Sequence, residues 1–150
     1  MLHVLCRIGR DAYAISSGAV ERILPFAALK ALPGGERGLT GLLNYQGQAV
    51  PVVDLCLLLA GQPAREVMNT RILLCPLPES ASGKLGLLVE GVTKTQHLDE
   101  GDFSTGGAEG DACMGAVTSD GEKLVQRIEV LQILPRGLLA SLGLPEKFPS

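Results

Sequence analysis

Apolar residues recur at every second position over several short stretches of this chain, and the turn residues between them mark out a β-rich protein. Leu2, Val4, Cys6 and Ile8 share one face and predict a first strand over 2–8. Gly9-Arg10-Asp11 turns the chain, and a second strand returns over 11–15 with Tyr13 and Ile15 on one side. Ser16 and Ser17 stand where they could cap a short helix over 19–24, ended by Pro25, with Val20, Ile23 and Leu24 facing inward. A linker over 26–37, marked by Pro33-Gly34-Gly35, leads to the longest patterned stretch, LTGLLNYQGQAVPVVDLCLLLAG, residues 39–61. It predicts a β-hairpin: a strand over 39–45, a tight turn at Gln46-Gly47, a strand over 49–55 and a helical turn over 57–60. Gly47 supplies the positive φ that a short hairpin turn needs. Val50, Val52 and Val53 suit a pleated, half-buried surface. Pro51 lacks an N–H, which predicts an edge or a bulge on that side of the strand. Asp54 ends the apolar run, either bonding to nearby backbone or offering a charge to a partner.

The second half follows the same plan. Residues 71–77 are apolar on both faces, which predicts a central strand. Leu85, Leu87 and Val89 share a face in a strand over 84–93. The stretch 95–112 is the most polar and reads as a loop. Strands over 114–118 and 123–130 flank Asp120-Gly121, a strong hairpin turn. A helical turn follows over 131–134, and Leu138, Leu139 and Leu142 are spaced for a last short helix over 137–143. The halves echo at about 1–62 and 70–134: the strand ending in Cys6 matches the one ending in Cys75, Tyr13-Ala14-Ile15 matches Leu85-Gly86-Leu87, and VVDLCLLL matches RIEVLQIL. The pattern predicts an all-β domain over 1–150 made of two similar small barrels, with short helices. A five-stranded barrel of this length has little core of its own, so the interface between the lobes should carry much of the stability.

At 150 residues and 46% hydrophobic, the chain can bury a core and is not of disordered composition. No apolar run reaches the roughly 18 residues of a membrane span, and the start lacks the build of a signal peptide, so a cytoplasmic protein is expected. A net charge of −3, scattered basic residues and no Trp remove both the electrostatic footprint and the stacking platforms of a nucleic-acid binder. Cys6, Cys56, Cys75 and Cys113 form no C-x-x-C pair and are expected as buried, reduced thiols. His3 and His97 are the available bases near neutral pH. His97, Asp99, Glu100 and Asp102 make a polar cluster that lacks a metal-ligand spacing and is expected to be solvated. There is no phosphate-binding glycine loop with a lysine and no nucleophile elbow. No catalytic residue, cofactor or metal is expected.

Four motifs in order resemble the CheW-like coupling proteins of bacterial chemosensory arrays. AYAISSGAVERILP is similar to the family's Tyr-x-(Ile/Val)-x5-Val-x-Glu-Ile segment, and GLLNYQGQAVPVVDL to its Gly-x-x-Asn-x-Arg-Gly turn and following strand. KLGLLVEGV resembles a Val-Gly-(apolar)2-Val-Asp-x-Val strand, and MGAVTSDGEKLVQRIEVLQIL the closing hairpin and short helix. The resemblance implies two SH3-like five-stranded barrels packed together. It also implies scaffolding without catalysis, bridging a chemoreceptor's cytoplasmic tip to a CheA-type histidine kinase whose regulatory domain has the same fold. The receptor tip would dock in the groove between the barrels, and the kinase against apolar strand ends and turns.

Carried over residue by residue, Val20 matches the family's apolar groove position, and Asn44, Gly47 and Asp54 match the central hairpin. Arg22 stands where the family has glutamate, and Gln46 where it has arginine. The six residues Val20, Arg22, Asn44, Gln46, Gly47 and Asp54 are the expected partner-binding set. Arg22 and Gln46 are expected to meet and hydrogen-bond in place of an ion pair. The altered charges imply a specialised array, since a reversed sign discriminates between partners. A CheW-like module that binds another signalling protein outside an array is the alternative. A small-barrel enzyme or ligand binder would need a polar pocket with a perturbed acid or base.

Overall fold

The computed structural model describes residues 2–9, 11–31, 38–78, 83–97, 117–120, 123–134 and 138. In chain order these form β1 (Leu2–Ile8), β2 (Asp11–Ser16), a single 3-10 turn (Ser17–Ala19), β3 (Arg22–Pro25), β4 (Leu39–Tyr45) and β5 (Gln48–Asp54). Then come α1 (Leu55–Ala60), β6 (Arg71–Pro76), β7 (Lys84–His97), β8 (Val117–Asp120), β9 (Lys123–Ile128) and α2 (Val130–Ile133).

β7 is the strand on which the two lobes meet. Its first part pairs with β6 on one side and, in parallel, with β5 on the other. Its last part pairs with β1. Between them the register shifts, and Gly91 takes φ 63 beside Arg7. A Cβ at Gly91 would lie 2.9 Å from Arg7 Cβ, so both the dihedral and the space require glycine where the strand passes from one lobe to the other. Lobe A is β7-β1-β2-β9-β8 and lobe B is β3-β6-β7-β5-β4. Among the described residues each therefore has five strands, with β7 serving in both. Beyond β3 the chain comes back to β4, where Lys30 and Leu42 exchange two hydrogen bonds of 2.9 Å. This bridge ties the first segment of lobe B to its last strand, in keeping with an SH3-like lobe.

The strand alternation sorts side chains into three clusters. Leu5, Ala14 and Val125 fill lobe A. Leu43, Val50, Val52, Ile72, Leu74 and Leu88 fill lobe B. The largest cluster lies between the lobes and takes Val4, Cys6, Tyr13 and Ile15 from one, Val53, Leu73, Cys75 and Leu87 from the other, with Ile128 and Leu138. Neighbours in one strand thus serve different cores: Leu73 faces the other lobe and Leu74 the interior of its own.

The two lobes share a pairing plan, and each draws strands from both halves of the sequence. β1 and β2 from the first half are completed by β9 and β8 from the second, while β6 and β7 are completed by β3, β4 and β5. Three local readings also change. Residues 19–24 are not a helix: Arg22–Pro25 pairs antiparallel with β6, because Val20, Ile23 and Leu24 fit a strand as well as a helix face and the ladder decides. β7 extends to His97. β5 is an interior strand despite Pro51, flanked by β4 and β7. Leu42 gives both its backbone groups to Lys30, so Pro51 stands opposite a position of β4 that exchanges no bond with β5. On the other side the ladder to β7 begins at Val52, one residue later, and the missing N–H is not needed. The readings at 33–35, 79–82, 98–116, 121–122 and 139–143 lie outside the described residues.

Candidate functional site

The turn between β4 and β5 projects from the sheet on a preset backbone. Gln46 has φ 51 and Gly47 φ 83, two successive positive values that match the twist of the flanking strands. Gln46 is the one non-glycine residue with positive φ among the described residues. Asn44 Oδ1 accepts from Gly47 N–H at 3.0 Å, which holds the turn from its first strand. Asn44, Gln46 and Gly47 are all exposed. Beside them lies a shallow cleft of about 350 Å³ lined by Ala28, Lys30, Leu42, Asn44, Gly47 and Ala49 among others.

Asp54 sits at the other end of β5 and has a different job. It is 3% exposed, and its carboxylate is taken by the backbone: Oδ1 accepts from Leu57 N–H at 3.1 Å and Oδ2 from Ala64 N–H at 2.9 Å. Its own N–H donates to Gly38 O at 2.8 Å. Asp54 therefore caps α1 and ties the chain after the helix back to the strand that precedes it. Of the two readings the sequence left open, bonding to nearby backbone is the one realised.

Val20 is half-buried at the margin of the inter-lobe core, with its N–H donated to Ser17 O. Arg22 is exposed in β3, at one end of the strand order of lobe B, and Gln46 is in the turn that joins β4 to β5 at the other. The expected hydrogen bond between Arg22 and Gln46 is not formed. The residue next to Arg22 makes the ion pair instead: Glu21 holds Lys84 Nζ at 2.8 Å from both carboxylate oxygens. Sequence reasoning missed this pair because its members are 63 positions apart and meet only through the β3–β6–β7 ladder.

A second polar feature lies at the junction of the lobes. Glu90 on β7 accepts from Arg65 N–H at 3.2 Å and from Arg65 Nε at 3.1 Å. Cys56 lies in the wall of the adjoining cleft, and burial, with Asp54 and Glu90 nearby, pushes its thiol up to about 12. Burial likewise pushes Cys6 and Cys75 up to about 12, assisted by Cys56 and Glu21 respectively. Thiols held in this range are protonated at neutral pH and are not nucleophiles. His3 is buried in β1, and exposed His97 pairs with Leu2 at the end of β7. Asp99, Glu100 and Asp102 lie outside the described residues, and among the described residues no group of His, Cys, Asp and Glu is placed to hold a metal. No helix among the described residues is long and apolar enough to cross a membrane.

Comparison with known proteins agrees with this architecture. No curated protein sequence matches the chain significantly. The crystal structure of the scaffolding protein TtCheW from Thermoanaerobacter tengcongensis superposes with a TM-score of 0.74 at 18% identity, over 86% of this chain and 84% of that one. At that identity the likeness concerns the fold, two SH3-like lobes. The family model described as CheW-like domain matches residues 2–137, nearly the whole length, and the chain therefore belongs to the CheW-like family.

Proposed function

We propose that this protein couples chemoreceptor tips to a CheA-type histidine kinase in a bacterial chemosensory array, and that the array is a specialised or non-flagellar one. Members of the family are scaffolds and not catalysts, and the chain is a chemotaxis adaptor at that level. The observation that carries the reading is the family match over residues 2–137. The geometry supports it: an exposed turn on a preset backbone binds without first having to be ordered. In this reading Asn44, Gln46 and Gly47 meet one partner directly. Val20 and Arg22 meet a partner at the start of β3. Asp54 contributes from within, by fixing the end of the hairpin. The protein then works at membrane-associated receptor arrays, on their cytoplasmic side.

Specialisation rests on charge. Arg22 is exposed and carries no ion pair among the described residues, and Gln46 is neutral, so this surface selects partners of a different sign pattern. The test is a pull-down of the purified protein with the kinase regulatory domain and receptor fragment of its own gene cluster, beside those of another array. Capture of its own set alone is expected. Equal capture of both sets removes the specialisation, and capture of neither removes the coupling role.

A further inference from the structure

We propose that the cleft beside the Gln46-Gly47 turn is a socket for one glutamate side chain of the protein that meets the turn, and that Lys30 is the residue that sets this choice. The socket rests on the reading above in one respect, that a protein partner reaches the turn.

The cleft, of about 350 Å³, lies on the outward face of lobe B. Leu43 and Val50 turn into the core of that lobe, so their neighbours Leu42, Asn44 and Ala49 face away from it. Lys30 pairs antiparallel with Leu42 through two hydrogen bonds of 2.9 Å. Continued by two residues, that register brings Ala28 beside Asn44, whose partner on β5 is Ala49. An alanine thus stands on each side of Asn44. Their short side chains leave the space that Lys30, Leu42 and Asn44 border. The backbone around it is already fixed, by the Lys30–Leu42 bridge on one side and by the Asn44–Gly47 bond on the other. An incoming side chain therefore has to order the Lys30 stem and little else.

The polar side chains of the cleft are donors. Lys30 is exposed, and its ammonium makes no ion pair or hydrogen bond among the described residues. It is the one charged residue among the described residues that line the cleft. Asn44 Oδ1 is taken by Gly47 N–H, so the side-chain amide cannot turn over without losing that bond. Its Nδ2 hydrogens make no bond among the described residues and are left to donate. Gln46 at the tip of the turn is neutral, so Lys30 alone brings charge to the turn and the cleft. An ammonium and an amide NH2 beside Ala28, Leu42 and Ala49 fit a side chain with an apolar stem and a carboxylate end, which is glutamate. A lysine or arginine entering here meets a like charge. An apolar side chain takes water from Lys30 and returns no partner. Both are selected against, and the selection comes from Lys30.

The test is an amide-resolved NMR titration of the full chain with three probes. Two are capped pentapeptides, Ala-Leu-Glu-Leu-Ala and the same peptide with glutamine at its centre, and the third is N-acetylglutamate. The glutamate peptide is expected to shift the amides of Ala28, Lys30, Asn44, Gly47 and Ala49, and the Asn44 side-chain amide, to saturation. The glutamine peptide should bind at least about fivefold more weakly. Lys30→Glu should weaken the glutamate peptide at least about tenfold, and Lys30→Arg should keep it within about twofold. Ala49→Leu keeps every charge and fills the space, and should weaken it as much as Lys30→Glu does. None of these exposed substitutions should move the unfolding midpoint. No shift at these amides, equal binding of the two peptides, or full binding by Lys30→Glu would overturn the proposal. N-acetylglutamate binding as tightly as the peptide would overturn it too, by making this a site for a free carboxylate. No kinase or receptor fragment enters the titration, so its failure leaves the coupling role intact, and a failed pull-down leaves the measured preference for glutamate standing.

Discussion

Lobe A and lobe B share a plan strand for strand and differ in how they are finished. In both, a hairpin-linked pair from one half of the chain is extended by three strands that include contributions from the other, with the same senses of pairing. Cys6 faces Tyr13 as Cys75 faces Leu85. Ile15 meets Ile128 in parallel register as Leu87 meets Val53. The difference comes at the helices. Asp54 and Glu129 occupy equivalent N-cap positions with nearly the same backbone, φ −88, ψ 103 against φ −96, ψ 105. Asp54 caps α1, whereas exposed Glu129, one methylene longer, makes no side-chain bond to α2. The capped helix runs six residues and the uncapped one four. A shared backbone plan thus leaves room for one lobe to be polar-locked at its helix and the other not. The locked lobe is also the one that bears the hairpin turn.

The comparison can be broken first at β6. Leu73 and Leu74 are both fully buried, one between the lobes and one inside lobe B. Either change to alanine should cost about 2–5 kcal/mol. Hydrogen exchange separates them: Leu73→Ala should speed exchange in β1 and β2 as well as β6, and Leu74→Ala in lobe B alone. Identical exchange patterns would mean that the lobes open as one unit. At the helices, Asp54→Ala should cost about 2–3 kcal/mol, since it removes a cap and strands two amides. Glu129→Ala should stay within about 0.5 kcal/mol. Urea midpoints measure both.

A smaller contrast lies where Ala14 of lobe A corresponds to Gly86 of lobe B. A Cβ at Gly86 would come 2.9 Å from Val52 Cγ2 and 3.1 Å from Ile72 Cγ2. Gly86→Ala should therefore cost about 1–2 kcal/mol through overpacking. Ala14→Gly should cost about 0.5–1 kcal/mol through chain entropy. Thermal melts of the two variants give the ratio. The mildest effect concerns the matched thiols. Cys6 and Cys75 bind their protons more tightly in the folded chain than in the unfolded one. Their contribution is therefore intact below the unfolded-state value near 9 and is lost as pH rises toward about 12. Stability should fall over that window, and at pH about 8 neither thiol should react with a maleimide until denaturant is added. Labelling of one and not the other would show that one lobe opens alone.

Much of lobe B was legible in the sequence because its signals are local. The Gln46-Gly47 turn, the strands on either side and the pull of Asp54 toward nearby amides all follow from residues within a few positions of each other. The echo of Cys6 with Cys75 and of VVDLCLLL with RIEVLQIL was legible as well. Which half completes which lobe was not, because strand exchange leaves every local pattern unchanged. Residues 19–24 misled because three apolar residues at helical spacing also suit a short strand once β6 is beside them. Pro51 misled because its consequence depends on where neighbouring ladders begin. The Glu21–Lys84 and Arg65–Glu90 pairs depend on contacts across the sheet that no spacing announces.

The exchange of strands between the halves sets a timetable for synthesis. The strands described for lobe B have all left the ribosome once β7 has, but β1 and β2 wait for β8 and β9, which are made after it. Until then the β2 edge that β9 will take is open, and the interval between β7 and β9 is when this chain is most exposed to pairing with a neighbour.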